Sequence, residues 1–264
     1  MTSPPGSLYL VPNTLDFGAP GEAPDLRDVL PLAVIHHAAR LGHWVAENAK
    51  TTRAFLKRVD AIVPLSQPLQ QLAIIELPRP RKGAPNAGPQ SPHGTDSLET
   101  LRALLAPALA GHDIGLISEA GLPAVADPGA ALVQTAHALS LNVVALPGPS
   151  SLLLALAASG LNGQSFAFVG YLPVEAQQRG VRIRELEALS RQLGQTQLMI
   201  ETPYRNAALL GALLAHLSPA TRLSVSSGLT LVGGFTRTDS VKAWRARPRE
   251  LAADVPAVFA LLAV

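Results

Sequence analysis

Residues 115–129, GLISEAGLPAVADPG, decide how the chain is read. The apolar run 114–117 ends on Ser118 and Glu119, breaks into Gly121, Pro123, Asp127, Pro128 and Gly129, and gives way to helical spacing over 130–139. That pattern predicts a buried strand, an ordered loop and a helix. In open α/β sheets, ligands bind where loops leave the carboxyl ends of strands. Two Gly with two Pro let the backbone approach a ligand closely while staying stiff. The loop reads as a small-molecule site, with a plain connector punctuated by Pro as the alternative.

Upstream, a strand over 8–11 stops at Pro12, Asn13, Thr14 and Leu15. In a parallel sheet that places a second loop on the same edge. Asp25 or Asp28 suits the cap of a helix carrying Val29, Leu32, Ala33, Ile35 and His36. A strand over 43–46 ends on Glu47 and Asn48, and Thr51 or Thr52 opens the next helix, with Arg53, Phe55, Leu56 and Arg58. A carboxylate at a strand end costs free energy unless partnered, so Glu47 is either a site residue or that helix's cap. A further strand is expected over 74–77, then a Pro-rich surface loop over 78–95, a candidate lid, with His93 at its end. Helical spacing over 96–111, interrupted by Pro107, delivers the chain to the central strand.

Downstream, a strand over 142–146 is closed by Pro147, Gly148, Pro149, Ser150 and Ser151. This group reads as a hinge, and its two serines suit the cap of a helix over 152–159. The second half places strands at 165–171, 197–201, 223–226, 238–240 and 257–263, with helices over 181–192 and 205–216. Strands with few crossovers imply a mixed or antiparallel sheet. The expected architecture is α/β: an N-terminal domain, 1–147, with a mostly parallel sheet, and a C-terminal domain, 148–264, with a mixed one.

Composition narrows the chemistry. The chain has 264 residues, 15% charged and 48% hydrophobic, which is a globular balance. Aromatics at 4% argue against a base-stacking platform. The net charge of +2 does not announce a nucleic-acid binder. The basic groups, such as Arg53 with Lys57 and Arg58, or Arg245 with Arg247 and Arg249, read as solvated faces. There is no cysteine, which excludes thiolate catalysis and Cys-based zinc. The seven histidines form no metal-ligand spacing, so no metal is expected. Neither a Gly-x-Ser-x-Gly elbow nor a phosphate loop occurs. With no leader-like start and no apolar run of membrane-spanning length, the expectation is a soluble, cytoplasmic protein. What remains is a cleft of strand-end loops, rich in main-chain donors with a few carboxylates, suited to a zwitterionic cofactor bearing a ribose and an adenine.

Four ordered motifs, SEAGLPAVADPG, VVALPGPSS, ASGLNGQSFAFVGYLP and ETPYRN, closely resemble the tetrapyrrole methylase superfamily, and within it the branch that 2′-O-methylates a cytidine of small-subunit ribosomal RNA. The resemblance implies two α/β domains, S-adenosylmethionine as cofactor, an RNA substrate and a homodimer. Ser118, Glu119, Ala120, Gly121, Pro123, Asp127 and Pro128 stand where the family's cofactor loop stands. Pro147, Gly148, Pro149, Ser150 and Ser151 match its hinge motif, and Pro256, Ala257 and Val258 match a C-terminal strand that contacts the adenosine. Glu201, Pro203 and Arg205 match a Glu-x-Pro-x-Arg element.

The departures fall on the substrate side. The first loop departs from Thr-Pro-Ile-Gly-Asn-Leu, Glu47-Asn48-Ala49-Lys50 replaces Glu-Asp-Thr-Arg, and Gly228-Leu229-Thr230-Leu231 replaces Glu-Leu-Thr-Lys. A ribose hydroxyl that attacks a methyl group needs its proton accepted within hydrogen-bond reach. Glu47, Glu119 and Glu201 are the expected carboxylates, with Asn48, His93 and Arg205 as orienting groups; an internal Glu201–Arg205 ion pair is the structural alternative. Methylation of a tetrapyrrole or other small molecule, and cofactor binding without turnover, are the competing readings.

Overall fold

The structure is a computed structural model that describes residues 4–16, 24–78 and 98–264. The chain divides into two compact units, passing from one to the other between Pro149 and Ser150.

In the first unit, strands β1 (Ser7–Leu10), β2 (His43–Ala46), β3 (Ala73–Glu76), β4 (Ile114–Ile117) and β5 (Asn142–Ala145) form one sheet in the order β3-β2-β4-β1-β5. Every pairing is parallel, as the sequence pattern predicts. Helices α1 (Leu32–Arg40) and α2 (Ala49–Asp60) cover one face, where Ile35, Ala38, Phe55 and Leu56 pack on Trp44, Val11 and Ile117. Helices α3 (Leu98–Leu104), α4 (Ala106–Leu109) and α5 (Ala130–Ala138) cover the other, where Leu101, Leu105, Leu132 and Ala136 pack on Leu8, Val45 and Leu116. Gly115 leaves room for a neighbouring strand's aromatic, since a Cβ there would lie 2.7 Å from the Trp44 ring.

This winding fixes the place of the site. β1 and β2 send their helices to one face, whereas β4, which lies between them, sends α5 to the other. The helices that follow these three strands therefore leave to opposite faces, opening a crevice at a topological switch point that the three loops border.

The second unit holds β6 (Phe166–Tyr171), β7 (Thr196–Glu201), β8 (Arg222–Ser227), β9 (Phe235–Ser240) and β10 (Ala257–Leu262), ordered β6-β7-β10-β8-β9. β6 and β7 run parallel and the remaining pairs antiparallel, the mixed sheet expected. One face is covered by α6 (Ser151–Ser159), the other by α7 (Ala176–Leu193), α8 (Asn206–His216) and α9 (Val241–Ala246).

Several local expectations are corrected. The first helix starts at Leu32, behind Pro31, and Asp25 instead caps a short 3-10 turn over Leu26–Asp28. α2 starts at Ala49, with Asn48 as its cap in place of Glu47, Thr51 or Thr52. α7 begins five residues before the expected 181, because Glu175 accepts the N–H groups of Gln177 and Gln178. α9 is an additional helix anchored by buried Trp244, whose indole N–H donates to Leu223 O at 2.8 Å. The Pro-rich loop with His93 lies outside the described residues, apart from Pro78. Among the described residues, no helix is long and apolar enough to cross a membrane.

Candidate functional site

Three strand-end loops of the first unit meet at the carboxyl edge of β4. All four residues of β4 are buried, and so is Ser118 after it. From the β1 side, the Asn13 N–H donates to Gly121 O at 2.9 Å, and the Gly121 N–H returns a bond to Thr14 O at 3.3 Å. The Asn13 side-chain amide donates to Ser118 O at 3.2 Å and Glu119 O at 2.9 Å. From the β2 side, the Glu47 N–H extends the ladder to Ile117 O at 3.0 Å, and its Oε2 accepts the Glu119 N–H at 3.0 Å. The start of the central loop is thus held on both flanks.

The rest of the loop carries backbone strain. Gly121 sits at φ 66° and Gly129 at φ 128°, but Ala124 and Ala126 also lie in the left-handed region, at φ 65° and 66°. An L-residue pays about 1–3 kcal/mol for such a conformation, which persists only where its surroundings impose it and which clusters at ligand sites. A Cβ on Gly121 would come within 3.3 Å of Leu15 and 3.6 Å of Pro149 O. One on Gly148 would fall on the Pro12 ring, so the Pro147–Pro149 segment abuts the first loop.

The electrostatics are those of crowded acids. Asp127 is pushed up to about 7, first by burial and then by the charges of Glu47 and Glu119. Burial also raises Glu47, against the lowering effect of the Glu119 N–H. Among the described residues, no three His, Asp or Glu side chains are grouped to hold a metal ion. Ser118 Oγ is buried without a hydrogen-bond partner. A polar ligand that brings a donor and positive charge would satisfy this oxygen and relieve the carboxylates.

The sequence-predicted residues sort accordingly. Glu47, Ser118, Glu119, Gly121 and Asp127 come together, with Ala120, Pro123 and Pro128 in the same loop. Asn48 adjoins them, but its Oδ1 accepts the N–H groups of Lys50 and Thr51 at 2.9 and 3.3 Å, so its side chain caps α2. Ser150 occupies the cap position of α6 without making a side-chain cap bond, and Ser151 is the first residue of that helix.

In the second unit, Glu201 ends β7 opposite Ala257, and Val258 faces Ile200. Pro256 immediately precedes this β10 register, and its carbonyl accepts the Gly228 N–H at 3.0 Å. Glu201 is buried, paired with Arg205 through Oε2, and its Oε1 accepts the Thr202 N–H at 2.8 Å. That is the internal ion pair bracing the Thr202–Pro203 turn. It also holds the Arg205 guanidinium above its ordinary range.

Sequence reasoning missed Asn13 as the pin of the central loop; its only signal was its place one residue after the strand-ending Pro12. Also missed was Arg58, which donates to Thr14 Oγ1 at 3.3 Å, Asp16 Oδ2 at 3.2 Å and Pro24 O at 2.7 Å. Asn206 is wholly buried, donating to Val255 O at 3.1 Å with its Oδ1 unpartnered.

Comparison with known proteins gives this geometry relatives. The chain is 39% identical over 140 residues to a Mesorhizobium japonicum protein named ribosomal RNA small subunit methyltransferase I, covering 53% of this chain and 46% of that protein. The chain spans about half the length of the curated relatives it matches. Among solved structures, a conserved hypothetical protein from Aeropyrum pernix K1 superposes with a TM-score of 0.58 at 17% identity, covering 98% of this chain and 85% of that one. The native form of uroporphyrin III C-methyl transferase from Thermus thermophilus gives 0.54 at 17%, with 97% of both chains covered. These structures share the fold. Residues 50–234 match the family described as Tetrapyrrole (Corrin/Porphyrin) Methylases, and with that span covering most of both units and the whole central loop, the chain belongs to this family.

Proposed function

We propose that the protein is an S-adenosylmethionine-dependent methyltransferase that 2′-O-methylates ribosomal RNA. The observation that carries the cofactor assignment is the strained loop 118–129, pinned by Asn13 and Glu47 at the switch point of a parallel sheet. The donor set suits the group: three carboxylates near one another, one of them titrating near neutrality, favour a ligand that carries a sulfonium and an ammonium. The unpartnered Ser118 Oγ offers a further polar contact. When bound, S-adenosylmethionine supplies an electrophilic methyl group for in-line transfer to a nucleophilic oxygen.

The chain's own residues would then align and exclude water. Ser118, Glu119, Ala120, Gly121, Pro123, Asp127 and Pro128 hold the cofactor, with Pro147, Gly148, Pro149, Ser150 and Ser151 bordering it. In the second unit, Pro256, Ala257 and Val258 take part in cofactor recognition by their match to the family motif. Glu47 and Glu119 are the carboxylates assigned to hold the proton of the acceptor hydroxyl; burial moves Glu47 toward the range in which a base works near neutral pH. Glu201 and Arg205 act as a pair that shapes the Thr202 turn, and Asn48 sets the start of α2 beside Glu47. The acceptor rests on the names of the curated relatives. By the family resemblance the protein works as a homodimer, and its lack of cysteine fits a reducing cytoplasm.

The test is transfer of labelled methyl from S-adenosylmethionine to ribosomal RNA from cells lacking the protein. Label in a 2′-O-methylated nucleotide supports the assignment. Label absent from RNA but present on an added tetrapyrrole moves the acceptor to the small-molecule class.

A further inference from the structure

Helix α2 leaves the candidate site directly, beginning two residues after Glu47, and carries four basic residues against one acid, Asp60, at its far end. Its buried face is Thr52, Phe55, Leu56 and Val59. Arg58 lies at the edge of that face and is spent on Asp16, Thr14 and Pro24. The other three, Lys50, Arg53 and Lys57, are exposed. At 3.6 residues per turn they fall within an arc of about 60° opposite the core, spread over about 10 Å of axis.

This stripe differs from an ordinary solvated face, on which both signs are interspersed. Among the described residues, no ion pair includes Lys50, Arg53 or Lys57. Arg53 reaches only a carbonyl of its own helix, Ala49 O at 3.4 Å, and Glu76, at the helix start, accepts the Ala49 N–H. Several basic side chains elsewhere do have partners: Arg182 pairs with Glu185, Arg237 with Asp239, Arg245 caps the carbonyls of Leu214 and Leu217, and Arg249 stacks on Phe235. The stripe also opposes the helix. Lys50 sits in the first turn, where the helix dipole disfavours a cation, and Arg53 and Lys57 are like charges at i,i+4. An arrangement that costs the helix stability and recurs on successive turns is accounted for by an anion that runs along it.

We propose that Lys50, Arg53 and Lys57 form a phosphate track that holds the sugar–phosphate backbone of the RNA substrate and leads it to the site at Glu47. This rests on the RNA methyltransferase reading above. A polyanionic strand fits because its charges repeat along a line, as the three side chains do, and backbone contacts of this kind position a strand without reading its sequence.

The test compares the full chain with a K50Q/R53Q/K57Q variant, using a short mixed-sequence single-stranded oligoribonucleotide and, separately, S-adenosylmethionine. Gln keeps helix propensity, so the variant's thermal midpoint is expected to be unchanged or higher, whereas a structural role would lower it. The expected result is an RNA affinity lower by about tenfold or more, with the slope of log affinity against log salt reduced by about 2. S-adenosylmethionine binding should be unchanged. A control variant, R222Q/K242Q, which neutralises exposed positions of the second unit, should bind RNA as the parent does. Unchanged RNA affinity and salt slope in the triple variant would overturn the track while leaving the methyltransferase reading standing. Parent protein that binds S-adenosylmethionine but no RNA would overturn both the track and the RNA acceptor. Competition by polyglutamate as strong as that by RNA of equal charge would reduce the stripe to a general anion face and overturn the assignment.

Discussion

Asp127 is the residue whose chemistry the fold alters most. Burial and the neighbouring Glu47 and Glu119 raise it to about 7, so between the unfolded carboxylate's range and neutrality the folded state holds a proton that the unfolded state has released. Stability should therefore fall as pH rises from about 4 to about 7, since the slope follows the difference in bound protons. Asp127→Asn should abolish that fall and stabilise the protein at pH 8 by on the order of 2 kcal/mol, less than the full shift implies because the group is partly screened. Denaturant unfolding at several pH values measures it. The same residue should make S-adenosylmethionine bind more tightly as pH rises from 6 to 8, because the ionised form attracts the cation, and the Asn variant should flatten that profile. A second prediction belongs to Gly148, where any side chain meets the Pro12 ring. Gly148→Ala should cost about 1–3 kcal/mol by overpacking, seen as a lower denaturation midpoint.

At the scale of elements, Asn48 separates two roles. As the cap of α2, it should lose about 1 kcal/mol on substitution by Ala and very little on substitution by Asp, which keeps the acceptor and suits the dipole. If Asn48 also orients the acceptor, methyl transfer should fall in Asn48→Asp while the denaturation midpoint holds. The strands β2 and β4 were legible to the residue, because short runs with an apolar core ended sharply on polar residues, Glu47 and Asn48 after β2 and Ser118 and Glu119 after β4. Helix starts were less so. Pro31 delayed α1, Asn48 displaced Thr51 as cap, and α9 escaped notice because a six-residue helix lacks enough turns to display a period. The contacts of Asn13 and Arg58 were not legible at all. Each joins residues brought together by crossovers, as in the Asn13 contact with Glu119, and local patterning carries no information about such pairs.

For the whole molecule, the parallel and mixed sheets follow from the spacing of strands and helices, and the family's cofactor-side motifs fall on strand ends in each unit. The winding of β4, placed between β1 and β2, sets where the crevice opens, and the bonds of Asn13 and Glu47 to the central loop tie the three loops together there; sequence order alone suggested one edge but not which loops would touch. The proposed methyl transfer depends on loop 118–129 serving as the cofactor cradle. Calorimetric titration of the protein with S-adenosylmethionine, repeated on Gly121→Val, tests it most directly. Gly121 combines a left-handed φ with close approach to Leu15 and Pro149, so a β-branched side chain there must deform the cradle while the sheet stays intact. Saturable binding by the parent is expected, with at least about a tenfold loss, worth 1.4 kcal/mol, in the variant. No binding by the parent, or equal binding by a folded variant, would contradict it.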